Sequence, residues 1–119
     1  MKTTFPKRLR LRKRWQFSST QRKGTRYHTS SLIAYYTPNP NRPIRLGITV
    51  SRKVGKAHQR NRVKRLIREA FRTSELRHQS GFNLVVIAKK ETPPHRLSSL
   101  RDELREIACK AHSSLTRSS

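Results

Sequence analysis

The sequence predicts a single α+β or α/β domain, one sheet with helices packed on it, and three stretches carry that prediction. IRLGITV (44–50) alternates. Ile44, Leu46, Ile48 and Val50 face one way and Arg45, Gly47 and Thr49 the other, the pattern of a strand with one covered face. Over 57–73, a spacing of about 100° per residue gathers Val63, Leu66, Ile67, Ala70 and Phe71 into one stripe, which predicts a helix seated on a core. FNLVVIA (82–88) is nearly continuously apolar, as in a strand covered on both faces. Strand, helix, strand in that order points to a parallel pair joined through the helix.

The remaining elements follow along the chain. Residues 1–7 are expected to be extended or frayed, with Pro6 stopping any early helix. RLRLRKRWQF (8–17) is read as a short helix on which Leu11 and Trp15 share a face. Gly24 then punctuates. SLIAYY (31–36) is a strand whose two faces, Leu32, Ala34 and Tyr36 against Ile33 and Tyr35, are both apolar or aromatic. TPNPNRP (37–43) is a loop by its Pro and Asn content, and SRKVGK (51–56) is a second loop. After Pro93 and Pro94 a last helix is expected over 98–111, with Ser99 as its cap and Asp102 and Glu103 near the positive end of its dipole. Leu100, Leu104, Ile107, Ala108 and Ala111 form its inner stripe. The order is α-β-β-α-β-α in one domain, 1–119, with 1–7 and 113–119 as loose ends.

The charge is large and one-sided. Formal net charge is +23, and Met1 to Arg68 carry 20 Lys and Arg without one Asp or Glu, against 9 basic and 6 acidic residues from Glu69 onward. With 32% hydrophobic residues, composition alone would place the chain near disordered ones, so the case for a fold rests on periodicity. Asymmetry of this kind reads as a polyanion-binding half joined to a more ordinary half. The helix over 57–73 sorts its cations: Asn61, Lys64, Arg65, Arg68 and Arg72 lie opposite the apolar stripe, with Arg60 and Arg62 at its edges. Like charges at this spacing repel, and one acid, Glu69, cannot neutralise them. Phosphates along a nucleic-acid backbone would turn that repulsion into attraction. Arg52, Lys53 and Lys56 in the preceding loop extend the same surface. A DNA-reading helix is an alternative, although no helix-turn-helix or zinc-finger pattern is present.

Several classes are disfavoured. Cys109 is the single cysteine, so neither an internal disulfide nor a cysteine metal cluster can form. His28, His58, His78, His95 and His112 are dispersed without metal-ligand spacing, and no metal site is expected in this chain. The basic N-terminus lacks the apolar run of a secretion signal, and no stretch approaches a membrane span, so a cytoplasmic protein with no membrane partner is expected.

RLGITVSRKVGKAHQRNRVKRLIREAFR (45–72) resembles the signature of the bacterial ribonuclease P protein family, centred on Arg60-Asn61-Arg62 and followed by Lys64-Arg65. The resemblance extends along the chain: a basic N-terminal helix ending in an aromatic, two strands, the motif helix, an apolar strand ending in Ala88-Lys89-Lys90, and a C-terminal helix. It implies a ribosomal-protein-like sandwich with a left-handed β-α-β crossover. It also implies a subunit that binds a catalytic RNA and the 5′ leader of precursor tRNA, promoting Mg²⁺-dependent endonucleolytic removal of the leader. The RNA would carry the active site and hold most of the Mg²⁺, and no obligate protein partner is implied. Arg60, Arg62, Lys64, Arg65 and Arg68 would contact phosphates of the catalytic RNA, with Asn61 on a base, a sugar or a bridging water. Arg52, Lys53 and Lys56 would serve either that RNA or the leader. The leader cleft matches Phe17, Ile33, Tyr35, Arg45 and Thr49, with Lys89 and Lys90 at its far end; ordinary core roles for Phe17 and Tyr35 remain the alternative. The family's second aromatic, four residues after the first, is Gln21 here. Two other classes share the charge and size. A structural RNA-binding protein of the ribosomal type would share the strand-helix-strand core, and a stand-alone nuclease would need clustered carboxylates.

Overall fold

The computed structural model describes residue 10, residues 14–89 and residues 96–117. Its elements, in order, are α1 (Arg14–Lys23), β1 (Thr25–His28), β2 (Leu32–Pro43), β3 (Arg45–Val50), α2 (Ala57–Arg72), β4 (Ser80–Ala88) and α3 (Leu97–Arg117), with short 3₁₀ turns at Arg52–Val54 and Glu75–His78. The strands form one mixed sheet in the order β1-β2-β4-β3. β3 and β4 run parallel, joined through α2, as the alternation and the apolar run required; β2 is antiparallel to both β1 and β4. The expected order of elements holds, with β1 added ahead of β2.

Period-two alternation divides the sheet's side chains between two faces. On one, Leu32, Ala34 and Tyr36 of β2, Leu46 and Val50 of β3, and Phe82, Leu84, Val86 and Ala88 of β4 are buried in a single cluster. Val63, Ile67, Ala70 and Phe71 of α2 join them, as do Leu100, Leu104, Ile107, Ala108 and Ala111 of α3. Both predicted helical stripes therefore sit on the sheet, Leu66 being half-buried at the margin. At about 25 cal/mol per Å² this apolar burial is the main stabilising term. The other face lies under α1, which touches β2 and β4.

Several boundaries differ from expectation. The first helix begins at Arg14 and continues through SSTQRK to Lys23, whereas Arg10 lies in an isolated parallel bridge to Leu46, so the helix read over 8–17 is displaced. Ser and Thr are indifferent helix formers, and packing on the sheet overrides that weak local preference. Gly24 ends α1, its N–H donating to Thr20 O at 2.8 Å. A Cβ there would stand 2.3 Å from Thr20 O and 2.9 Å from Tyr36 O, so only glycine lets the helix end come this close to β2.

The stretch 37–43, expected as a loop, continues β2. β1 covers β2 only as far as Tyr36, so beyond that point one edge is open, where prolines are tolerated in a strand. The register with β4 shifts between Asn39 and Pro43, and Asn41 takes the left-handed conformation there, φ 61°. Asn tolerates that region better than most residues. α3 starts at Leu97, which packs against the core, so Ser99 lies inside the first turn rather than capping it. The same helix runs on to Arg117, so residues 113–117 are helical rather than loose. Residues 1–7 lie outside the described residues.

Candidate nucleic-acid interface

α2 separates charge as cleanly as polarity. Opposite its buried stripe, Asn61, Arg62, Arg65 and Arg68 are exposed, while Arg60 and Lys64 are half-buried. Glu69 is engaged by Arg72, whose guanidinium bonds both carboxylate oxygens, Nε to Oε2 at 3.0 Å. The remaining ion pairs join Arg105 to Glu75 and Asp102. Among the described residues, none of Arg52, Lys53, Lys56, Arg60, Arg62, Lys64, Arg65 and Arg68 has an acidic partner. The 3₁₀ turn keeps Arg52 and Lys53 exposed. Gly55, at φ 148°, turns the chain into α2, where Gln59 Oε1 accepts the Lys56 N–H at 2.7 Å. The loop and helix thus present one run of unneutralised cations.

The sheet face under α1 supplies a second surface. Its register aligns residues in rows across β2, β4 and β3, Ile33–Ile87–Thr49, Tyr35–Val85–Gly47 and Thr37–Asn83–Arg45, with the β4 residue in the middle of each row. Ile33, Tyr35, Arg45 and Thr49 therefore share one face, as expected, and all four are half-buried. Phe17 is half-buried on α1, the helix lying over that face, as is Gln21. The core aromatic of β2 is Tyr36, fully buried on the opposite face. Lys89 follows β4, and its Nζ donates to Thr29 O at 2.7 Å. Lys90 lies outside the described residues. Thr49, Ile33 and Lys89 mark the end of the face from which loop 51–56 departs, so the two basic surfaces adjoin there.

Sequence reasoning missed part of this arrangement. β1 adds Arg26 beside Tyr35 and His28 beside Ile33. The signal was present in TRYH, alternating after Gly24, but four residues are too few to stand out. Desolvation, and then the charges of Arg26 and Lys89, hold the His28 imidazole below its ordinary pKa. On the opposite face, Tyr27 donates its hydroxyl to Glu106 at 2.5 Å, and that bond raises its phenolic pKa.

Glu103 also differs from expectation. With α3 starting at Leu97, neither Asp102 nor Glu103 lies in the first turn at its dipole's positive end; Glu103 is 8% exposed and reaches the turn between β1 and β2. Its Oε1 accepts from Thr29 Oγ1 at 2.5 Å and from the Ser31 N–H at 2.6 Å. The Lys89 N–H donates to Ser31 O at 2.8 Å. α3 thereby fixes the turn on which Lys89 rests.

A basic helix and loop whose one acid, Glu69, is taken up by Arg72, together with a sheet face carrying an aromatic and further cations, define a polyanion-binding α+β protein suited to single-stranded nucleic acid. The family model described as Ribonuclease P matches residues 5–112. The ribonuclease P protein component of Desulfosudis oleivorans is 40% identical over 104 residues, covering 87% of this chain and 86% of that protein. That of Syntrophus aciditrophicus is 34% identical over 116 residues, 98% of each. The solved RNase P protein of Thermotoga maritima superposes with a TM-score of 0.71 at 33% identity, covering 82% of this chain and 93% of that one. For the Staphylococcus aureus protein the TM-score is 0.72 at 29% identity, with 87% and 94% covered. The chain belongs to the bacterial ribonuclease P protein family.

Proposed function

We propose that this chain, as the protein component of the tRNA 5′-maturation endoribonuclease, divides its basic surface between two RNA molecules. α2 and loop 51–56 grip the catalytic RNA. The sheet face under α1 holds the single-stranded leader of precursor tRNA, with bases against Tyr35 and Phe17 and phosphates near Arg26, Arg45 and Lys89. The observation that carries this reading is the continuity of the two surfaces: cations without acidic partners run from α2 through its loop to the end of a half-buried aromatic sheet face. Aromatics that stack bases beside cations that track phosphates are what single-stranded RNA requires. The family match sets aside a ribosomal structural role.

The chemistry falls to the RNA. Hard cations such as Mg²⁺ need oxygen ligands, and this surface offers guanidinium and ammonium groups instead. Among the described residues no three His, Cys, Asp or Glu side chains stand together as a metal site. The residues here do not fit a resident Mg²⁺, which would be held by RNA phosphates and water. The work of this chain is to place the leader and to neutralise phosphate charge, so that less Mg²⁺ suffices. No helix among the described residues is long and apolar enough to cross a membrane, and a cytoplasmic setting accords with a tRNA substrate.

Cleavage of precursor tRNA by the cognate catalytic RNA at limiting Mg²⁺, with and without this protein, tests the reading. Added protein is expected to raise both leader affinity and rate; a protein that changes neither refutes it.

A further inference from the structure

The far end of the same sheet face, away from loop 51–56, carries a cleft of which the assignment above uses Arg45 alone. It has a volume of about 310 Å³ and lies between α1 and the ends of β2, β3 and β4, at the small end of the roughly 300–1,000 Å³ usual for ligand sites. Trp15 stands on its wall and is 66% exposed, the one large hydrophobic side chain left in solvent among the described residues. Arg42 and Arg45 reach it from two strands. Neither has an acidic partner among the described residues. Arg42 follows the left-handed Asn41 within the register shift, the kind of irregularity that re-aims a side chain. Between these groups Asn39 Nδ2 donates to Asn83 Oδ1 at 3.1 Å. An amide pair bonded once still has an acceptor on one partner and a donor on the other.

These groups match a nucleotide part by part. An exposed indole offers a face for a base, an adjacent donor and acceptor complement a base edge, and two guanidinium groups suit the flanking phosphates. A bare phosphate would use only the arginines, leaving the indole and the amides without a role. We propose that this cleft is a nucleotide pocket: one base of single-stranded RNA stacks on Trp15 and bonds the Asn39–Asn83 pair, while Arg42 and Arg45 hold its phosphates. The proposal rests on the reading of this face as a track for single-stranded RNA and adds a second anchored position. Arg45 stands four residues from Thr49 along β3, about 13 Å at strand rise. The pocket therefore holds a nucleotide further along the strand than one at Ile33 and Thr49. That nucleotide belongs either to the leader or to an unpaired segment of the catalytic RNA.

Trp15 is the only tryptophan, so its fluorescence in the full-length protein reports the pocket directly. A short single-stranded oligoribonucleotide is expected to quench it, whereas an abasic oligomer of equal charge and inorganic phosphate leave it unchanged. Trp15→Ala and Asn83→Leu are each expected to weaken RNA binding about tenfold. Circular dichroism checks their folding, and the Trp15 quench with Arg45→Gln gives a second measure. A Trp15→Ala loss that appears only when the precursor leader exceeds a certain length assigns the nucleotide to the leader. A loss seen with the catalytic RNA alone assigns it there. Equal quenching by the abasic oligomer overturns the pocket. So does an unchanged affinity of Trp15→Ala for both RNAs while Tyr35→Ala loses leader affinity, which would leave the track intact. A loss at Trp15 without one at Tyr35 would support the pocket and retire the track.

Discussion

Tyr35 and Tyr36 are neighbours in sequence and opposites in role. The strand's alternation sends Tyr36 into the core and leaves Tyr35 half-buried on the face under α1. Replacing Tyr35 by alanine is expected to weaken binding of precursor tRNA by about 1–3 kcal/mol, the usual worth of a base stacked on an aromatic. Mature tRNA, which has no leader, should bind as before in the same filter-binding or fluorescence assay. Equal losses for both would return Tyr35 to a purely structural role. His28 supplies a complementary test through pH. Its pKa is depressed in the free protein, so the native state favours the neutral ring. Its contribution to stability is present above the ordinary imidazole range and declines as pH falls toward the depressed value. Nearby phosphates would favour the charged ring, so RNA binding is expected to take up a proton. Affinity should then rise as pH falls through the imidazole range, more steeply for the native protein than for His28→Gln. Calorimetry in buffers of different ionisation enthalpy measures that proton directly. The location of His28 was invisible in the sequence because it depends on the pairing of β1 with β2. Glu103 was hidden for a similar reason: an acid near a helix start is normally a solvent-exposed partner of the dipole, and only the packing of α3 brings it to the turn at Thr29–Ser31.

α2 was the most legible element because its 3.6-residue period is sustained over four turns, and β3 and β4 were legible through alternation and continuous apolarity. α1 and the end of β2 were not. Their residues have weak or contrary local preferences, and non-local packing decides their conformation. The same contrast holds in the interface. The motif cations could be read one by one, whereas the cleft at Trp15 is assembled from three strands and a helix and leaves no local trace. α2 also shows what its charge pattern is for. Lys64 has Arg60 and Arg68 as neighbours four residues away on either side, and each such like-charge pair destabilises a helix by about 0.2–0.5 kcal/mol. Lys64→Ala should therefore leave the free protein as stable as before, or up to about 1 kcal/mol more stable, while weakening its RNA binding. The log–log dependence of affinity on salt should become shallower by about 0.7 to 0.9, the slope of one phosphate contact. A loss of thermal stability without a change in salt slope would mark Lys64 as a structural residue.

Across the molecule, the sheet has one face closed by α2 and α3 and another beneath α1, where Ile33, Tyr35, Val85 and Ile87 stand with Arg26, Arg45 and Thr49. Its first 68 residues carry +20 of the net +23. Self-repulsion of this size opposes the compact state, and anions that bind the native form offset it by mass action. Sulfate or phosphate at millimolar concentration is expected to raise the melting temperature well beyond chloride at equal ionic strength. Identical melting curves in the two salts would show that the cations do not form anion sites in the free protein.

Cys109 lies exposed on α3, the helix that backs the apolar core, and it is the only thiol in the chain. A dye, spin label or surface tether coupled there would sit on a helix that carries none of the residues assigned to RNA. The protein thus carries a ready attachment point for watching assembly one particle at a time.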